Sequence, residues 1–481
     1  MGNSTGPPAA LAGGRIAHQL SGSVIAIEQR GRQMVHILAE RGLTAEYPVA
    51  YQIGSGKIGY TYLVQIGSYL FESPASWYRS HGWDMSPGYE RMTELDFDRL
   101  VDSACLYCHA DRAEFTGAEG RRFSGVQLTA IGCDRCHGPG GDHARHPSAK
   151  NIVNPAKLPQ AARNSICEQC HLEGEVRLLN PGRRWLDFHP GDSFEVTAVT
   201  YIASQNRGPA HAVSQAEQLA LSKCVAGTGG RLWCATCHDP HKQAVDASQG
   251  VREVCVSCHP TLSKAAHPAG LTECVSCHMP RLAPDDIPHT ASTDHRILRR
   301  PEPLGDARNS SPDALAPWRE PPAQFRDRDL ALADLMVSVK YRSNALRDSG
   351  WKLLNGIALS RDENDAALLS ALAGSALDRK DQEQGMALAR RAAENAPDSG
   401  HAALLVAIAL RQAGDLAGAE REYRHATDLD PTLKQPWIDL AMLCQSQGRM
   451  ADVLAVIDRY LTWNPQSIMF RLQKAGLSGQ R

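Results

Sequence analysis

Twelve of the fourteen cysteines fall into six copies of Cys-x-x-Cys-His: Cys105-Cys108-His109, Cys133-Cys136-His137, Cys167-Cys170-His171, Cys234-Cys237-His238, Cys255-Cys258-His259 and Cys274-Cys277-His278. Two thiols three positions apart can each form a thioether with one of a porphyrin's two vinyl groups, and the histidine that follows can place its imidazole on the iron. This is the chemistry of c-type haem. The sequence therefore predicts six covalently bound haems, with the twelve cysteines as attachment points and the six histidines as proximal iron ligands. Zinc sites and redox dithiols also use paired thiols, but neither requires a histidine after every second cysteine. All six copies carry one.

A low-spin haem needs a second axial ligand, and histidine is the plentiful donor. Nineteen histidines less six leaves thirteen, of which His401 and His425 lie far beyond the motifs. The candidates nearest the motifs are His143 in CHGPGGDH, His241 in CHDPH, His267 ahead of the last motif, and His289 and His295 in HTASTDH after it. His211 is a sixth, and His18, His36, His81, His146 and His189 stand in reserve. Cys224 lies outside any motif and reads as a small buried residue, with a free thiol, a disulfide partner or an unusual ligand as alternatives. Met279 directly follows the last proximal histidine and points the wrong way for the same haem. Trp77, Trp83, Trp185 and Trp233 are expected to pack against porphyrin.

The elements that must position these residues divide into four segments. Residues 1–100 hold no motif and read as a small β-rich unit covering the haem core. Two β-branched and aromatic runs, from Tyr47 to Gly54 and from Ile58 to Gly67, flank a short glycine turn, which signals a hairpin. Gly54-Ser55-Gly56-Lys57 lacks the spacing of a phosphate loop and reads as turn chemistry. Residues 101–300 are the hexahaem region, loop-rich with short helices; so few residues per haem cannot build an ordinary aliphatic core, and porphyrin must supply buried apolar surface. Each motif should end on a helical turn, which sets cysteine, cysteine and histidine on one face. Residues 301–328, rich in proline, read as a linker.

From 329 to 481 the composition turns to Ala, Leu, Arg and Glu at helical spacing, and Pro397, Pro431 and Pro465 recur every 34 residues. That is the period of the tetratricopeptide helix-turn-helix repeat. Ala407, Ala419, Tyr423, Ala426 and Pro431 fit its pattern in the middle repeat, as do Trp437, Leu440, Ala441 and Pro465 in the last. The first repeat, around Leu369, Leu372, Ala373, Ala392 and Pro397, is degenerate but in register, and residues 330–360 should add a helix pair. Three stacked units can share a continuous core, so an all-α solenoid is expected. Cys444 falls on its inner, packed face.

A chain that is 42% hydrophobic and 22% charged is not disordered in bulk, and a formal charge of −2 gives no argument for nucleic acid. No run of 18 apolar residues is present to form a transmembrane helix. The start, MGNSTGPPAALAGGRIAHQL, has neither the basic nor the apolar region of a secretion signal. Since c-type haem is attached outside the energy-transducing membrane, the expectation is a bacterial periplasmic protein whose leader is removed or whose start is misplaced.

Several segments, GKIGYTYLVQIGSYLFESPASWY, GWDMSPGYE, GCDRCHGPGGDH, IVNPAKL, CEQCHLEGE, GGRLWCATCHDPH, CVSCHMP and TDHRI, together resemble bacterial multihaem cytochromes c with C-terminal tetratricopeptide repeats. Their haem region is similar to the tetrahaem cytochromes and hydroxylamine oxidoreductases of nitrogen metabolism. The resemblance spans nearly the whole chain. It implies His143, His241, His289 and His295 as distal ligands and haems packed as parallel and perpendicular pairs. One departure stands out: beside Glu217-Gln218-Leu219, where a histidine is expected, this chain has Gln215, with His211 or His18 as substitutes.

Three functions are compatible with this reading. The first is electron transfer through a chain of close haems, with redox protein partners, one of them docking on the repeats. The second is an oxidoreductase acting on a small nitrogen or sulfur species at one open haem; the lysine-for-histidine motif of pentahaem nitrite reductases is absent, and there are six rather than eight motifs. The third is a repeat scaffold of a respiratory complex.

Overall fold

Alternation of apolar and polar residues from Leu43 to Ile53 makes a strand whose Ala45, Tyr47 and Val49 are buried while Thr44, Glu46 and Pro48 face outward. The computed structural model describes residues 5–6, 11–56, 58–117, 119–127, 131–204, 213–241, 247–260, 273–282, 292–300, 311–357, 359, 364–477 and 479. The chain folds as two compact units. One comprises residues 1–4, 107–111 and 129–347; the other comprises 5–106, 112–128 and 348–481. The division falls inside the first haem motif.

In the second unit the expected hairpin forms between Leu43–Ile53 and Gly59–Ile66, paired Val49 to Val64 and Ile53 to Thr61 with a bulge between. Gly54, at φ 113°, sits where a Cβ would lie 2.6 Å from the Gly59 carbonyl oxygen, so the turn requires glycine. The hairpin is the centre of a ten-stranded antiparallel sheet that begins well before it and runs to Arg99–Val101. Ile25, Leu38, Tyr47, Val49, Tyr62, Val64, Phe71 and Phe97 form its core. Trp77 stacks on Tyr60 at 5.7 Å, and Trp83 lies 5.3 Å from Tyr62 with its indole bonded to the Ala12 carbonyl. Both tryptophans therefore belong to the sheet, which corrects their expected role against porphyrin.

His36, on the strand Gln33–Glu40, is wholly buried; its Nδ1 meets Ser73 Oγ at 2.6 Å and its ring sits edge-on to Tyr62 and Trp83. Burial holds its pKa down to about 3. The unfolded chain accepts a proton below about pH 6.5 that the folded sheet refuses until about 3, so this group lowers stability by about 1.4 kcal/mol per pH unit in that window and has no effect above it. Urea denaturation is expected to show the stability gap between wild type and His36→Gln narrowing as pH falls from 6.5 toward 4. A gap that stays constant with pH rules this out.

The same unit contains the repeats. Helix pairs Ala366–Asp378 with Gln382–Asn395, Gly400–Gln412 with Leu416–Leu429, and Lys434–Ser446 with Met450–Trp463 stack in order, and Ile468–Leu477 closes the array. Asp365, Asp381, Ser399 and Asp415 cap their helices by accepting backbone N–H bonds. Ala407, Ala419, Tyr423, Ala426, Leu440 and Cys444 are fully buried, as the repeat pattern requires. At Gly400 a Cβ would approach Asp430 Cβ to 2.8 Å, so successive repeats touch through bare backbone there. The β sheet packs on the inter-repeat turns: Ile468 joins the sheet's core, Ser467 Oγ donates to buried Asp96 at 2.8 Å, and Lys434 pairs with Asp98. Sheet and repeats thus share one unit, where separate domains were expected.

In the first unit a three-stranded antiparallel sheet joins Val176–Leu179, Ala198–Ala203 and Leu315–Pro317, and the helix Arg326–Tyr341 packs on it. Residues 311–325, within the expected linker, are therefore structural. Arg319 pairs with Glu168 at 2.5 Å and Glu195 at 3.0 Å, and Trp318 donates to Glu168. The helix pair expected over 330–360 appears as Arg326–Tyr341 and Asn344–Gly356, with the boundary between units inside the second. Among the described residues no helix is long and apolar enough to cross a membrane.

Candidate multihaem centre

Each motif lies on or against a helical turn: Ser103–His109, Asp134–His137, Gln160–His171, Cys234–Cys237, Ala247–Cys258 and Cys274–His278. The turn closes when the histidine N–H donates to the first cysteine's carbonyl, as His137 does to Cys133 at 2.9 Å, His238 to Cys234 at 3.0 Å and His259 to Cys255 at 2.9 Å. Residues one turn apart then share a face, which the thioether and iron bonds to one porphyrin require. None of the six proximal histidines is buried. His109 and His171 keep accessible imidazole faces although protein atoms crowd round them, and that crowding lowers both pKa values, favouring the neutral, ligating form.

No two cysteines form a disulfide, yet several thiols from different motifs lie side by side. The Cys170 thiol lies against that of Cys108, and the Cys167 thiol against that of Cys234. Cys255 hydrogen-bonds Cys274, and Cys136 is close enough to Cys167 to affect its charge. The first four motifs therefore converge around the third, and the fifth and sixth adjoin each other. Cys224 is half-buried, near Cys237 and Cys255.

The ring nitrogens show which tautomer several of these imidazoles hold. A carbonyl accepts from Nδ1 of His137 (Val153, 2.8 Å), His278 (Leu298, 2.6 Å) and His295 (Thr293, 2.7 Å). Nδ1 therefore carries the proton in each, and Nε2 keeps its lone pair. His143 is oriented in the same way, by Asn151 Oδ1 at 3.0 Å and the Ser148 carbonyl at 3.1 Å.

Two candidate distal histidines lie close to histidines of the motifs. His241 lies 5.9 Å from His137, centre to centre, and His295 lies 6.2 Å from His238, with 26° between ring planes in both pairs. Two imidazoles bound to opposite faces of one iron, with metal–nitrogen bonds of about 2 Å, have centres roughly 6 Å apart. The spacing fits haem. So do orphaned donors: Nε of Arg135, Arg163 and Arg177 and Nη2 of Arg177 are buried with no acceptor among the described residues, and porphyrin carboxylates are acceptors of the required kind.

The remaining sequence candidates separate plainly. His211, His267 and His289 lie outside the described residues. His18 is corrected: its Nδ1 bonds Ser21 Oγ at 2.8 Å and its Nε2 bonds the Glu90 carbonyl at 3.3 Å, so this buried residue has no nitrogen left for iron. His36 is sealed in the sheet, and His81 stacks on Tyr78 beside Asp84. Gln215, the departure noted in the sequence, lies beside His171. Trp185 packs 5.9 Å from Tyr107, and Trp233 lies beneath Arg163. Tyr107, Arg135 and Gln169, which lie between the cysteines of the first three motifs and hydrogen-bond one another, were not singled out by sequence reasoning, because their contacts are non-local.

The family described as "Doubled CXXCH motif" matches residues 225–264, which contain the fourth and fifth motifs. No curated protein matches the chain. Among solved structures, the chain is similar to the TPR domain of Arabidopsis OM64 (14% identity, 24% of this chain and 96% of that one, TM-score 0.21). It is also similar to MamA (15%, 30% and 84%, TM-score 0.25) and to TTC0263, a thermophilic TPR protein of Thermus thermophilus (17%, 32% and 92%, TM-score 0.25). The tetratricopeptide assignment rests on the 34-residue helical hairpins themselves. The matched motif pair marks this region as a carrier of covalently bound c-type haem.

Proposed function

We propose that this protein is a periplasmic six-haem cytochrome c that transfers electrons, with its repeats docking a redox protein partner. The observation that carries the reading is the pair of imidazole couples, His137 with His241 and His238 with His295, each at the spacing of two axial ligands on one iron. Bound haem supplies reversible one-electron storage. The chain's own residues do the rest: carbonyls fix the imidazoles, and adjoining motifs such as Cys167 with Cys234 keep neighbouring sites close. Iron with two histidine ligands has no open position, which suits transfer over catalysis.

A second reading, an oxidoreductase acting on a small nitrogen or sulfur species, is favoured by one observation: His171 meets Gln215 where a distal histidine was expected nearby. Low-temperature electron paramagnetic resonance of the oxidised holoprotein, with haem counted by the pyridine assay, separates the two. Six low-spin centres per chain are expected for pure electron transfer. A stoichiometric high-spin signal that responds to nitrite, hydroxylamine or sulfite would put the catalytic reading first, with the third motif as its site.

A further inference from the structure

The residue just before the second cysteine is Tyr107 in the first motif, Arg135 in the second and Gln169 in the third. These three close a ring of contacts. Tyr107 Oη donates to Gln169 Oε1 at 2.9 Å, Gln169 Nε2 donates to the Arg135 carbonyl at 3.0 Å, and Arg135 Nη2 donates to the Tyr107 carbonyl at 2.5 Å. The Arg135 guanidinium also lies over the Tyr107 ring, 4.0 Å from its centre. Tyr107 and Gln169 are buried.

A second cation joins them. Arg177 Nη1 donates to the Gln169 carbonyl at 3.0 Å, its guanidinium packs over Phe194 and Trp185 at 4.5 and 5.2 Å, and it reaches the Cys108 thiol. Neither arginine forms an ion pair among the described residues. The nearby acid Glu168 is already taken by Arg319. Arg135 Nε and Arg177 Nε and Nη2 are buried without an acceptor. Two positive charges with no ion-pair partner among the described residues therefore sit beside Cys108 and Cys170, the second attachment cysteines of the first and third motifs.

We propose that Arg135 and Arg177 are positioning residues that raise the reduction potentials of the haems on the first and third motifs, making that pair the place where electrons rest within the chain. This rests on the haem reading above. Reduction adds one electron to one ferric iron and removes one positive charge, so a fixed cation with little water around it favours the reduced form. Contacts with Gln169 and the aromatic rings hold both guanidiniums in place, half-buried, so that solvent screens them only in part.

The test is spectroelectrochemical titration of the full-length holoprotein and of Arg177→Gln, Arg135→Gln and Arg177→Lys, with haem per chain counted for each. At unchanged haem content, the glutamine variants should shift two midpoint potentials downward and leave the others in place, while Arg177→Lys, which keeps the charge, should stay close to wild type. Arg177 lies outside every motif, so Arg177→Gln carries the test alone if Arg135→Gln does not assemble. Unchanged midpoints overturn the proposal, as do equal shifts in the lysine and glutamine variants. A wild-type chain that attaches no haem overturns the haem reading instead, and the pyridine assay reports that separately.

Discussion

Replacing His295 with alanine is expected to leave the haem count per chain unchanged and add one high-spin centre to the oxidised spectrum. The ferrous protein should bind one more carbon monoxide per chain than its parent, and added imidazole should restore the low-spin state. His295 is held from several sides. Its Nδ1–H is fixed by the Thr293 carbonyl, and its backbone N–H by Gln218 Oε1 at 2.8 Å. On either side of it, buried Asp294 binds Arg296 at 2.5 Å. Its ring lies 6.2 Å from that of His238, with His171 also nearby, and the His238 pairing is the one the variant tests. Burial lowers its pKa, so it stays neutral at ordinary pH, the form a metal ligand needs. The exposed His146, changed to alanine in parallel, should alter nothing. An unchanged spin count in the His295 variant would remove this pairing from the proposed electron path.

What was legible in the sequence was local. A Cys-x-x-Cys-His turn needs only five residues, a 34-residue proline period repeats one helical hairpin, and the strand Leu43–Ile53 announces itself by alternation. The pairing of Leu315–Pro317 with Ala198–Ala203 was not legible: more than a hundred residues separate the partners, and proline-rich composition resembles a linker. His18 and His36 could be ranked as ligands only until their Ser21, Glu90 and Ser73 partners were placed, since a histidine's availability depends on who already holds its nitrogens. Tyr107, Arg135 and Gln169 occupy positions the motif leaves unspecified, so nothing in the pattern points to them. His241 and His295 could be named as distal candidates from the sequence because they adjoin a motif or its flank, where the chain has little room to place a ligand elsewhere.

Trp463→Ala is expected to cost about 3 kcal/mol, the lower part of the range for truncating a packed tryptophan, because the side chain is only partly buried. The position matters because Trp463 ends the last paired helix and enters the sheet. Its ring meets Tyr69 and Phe71 edge-on at 6.3 and 6.2 Å and Tyr460 at 5.4 Å, so one side chain belongs to the cores of both the strands and the repeats. Polar contacts around it give direction: Tyr47 Oη donates to Asn464 Oδ1 at 3.3 Å and Arg471 to the Thr44 carbonyl at 2.6 Å. Burial raises the pKa of Asp96 to about 6, and the hydroxyl of Ser467 offsets part of that cost. If sheet and repeats fold as one body, removing the shared tryptophan must destabilise both together. Urea unfolding followed by circular dichroism for the helices and tyrosine fluorescence for the sheet should show both transitions moving to lower urea by the same amount. If the helical signal shifts while the sheet signal stays, the repeats are an independent domain resting on the strands, and the shared core does not couple them.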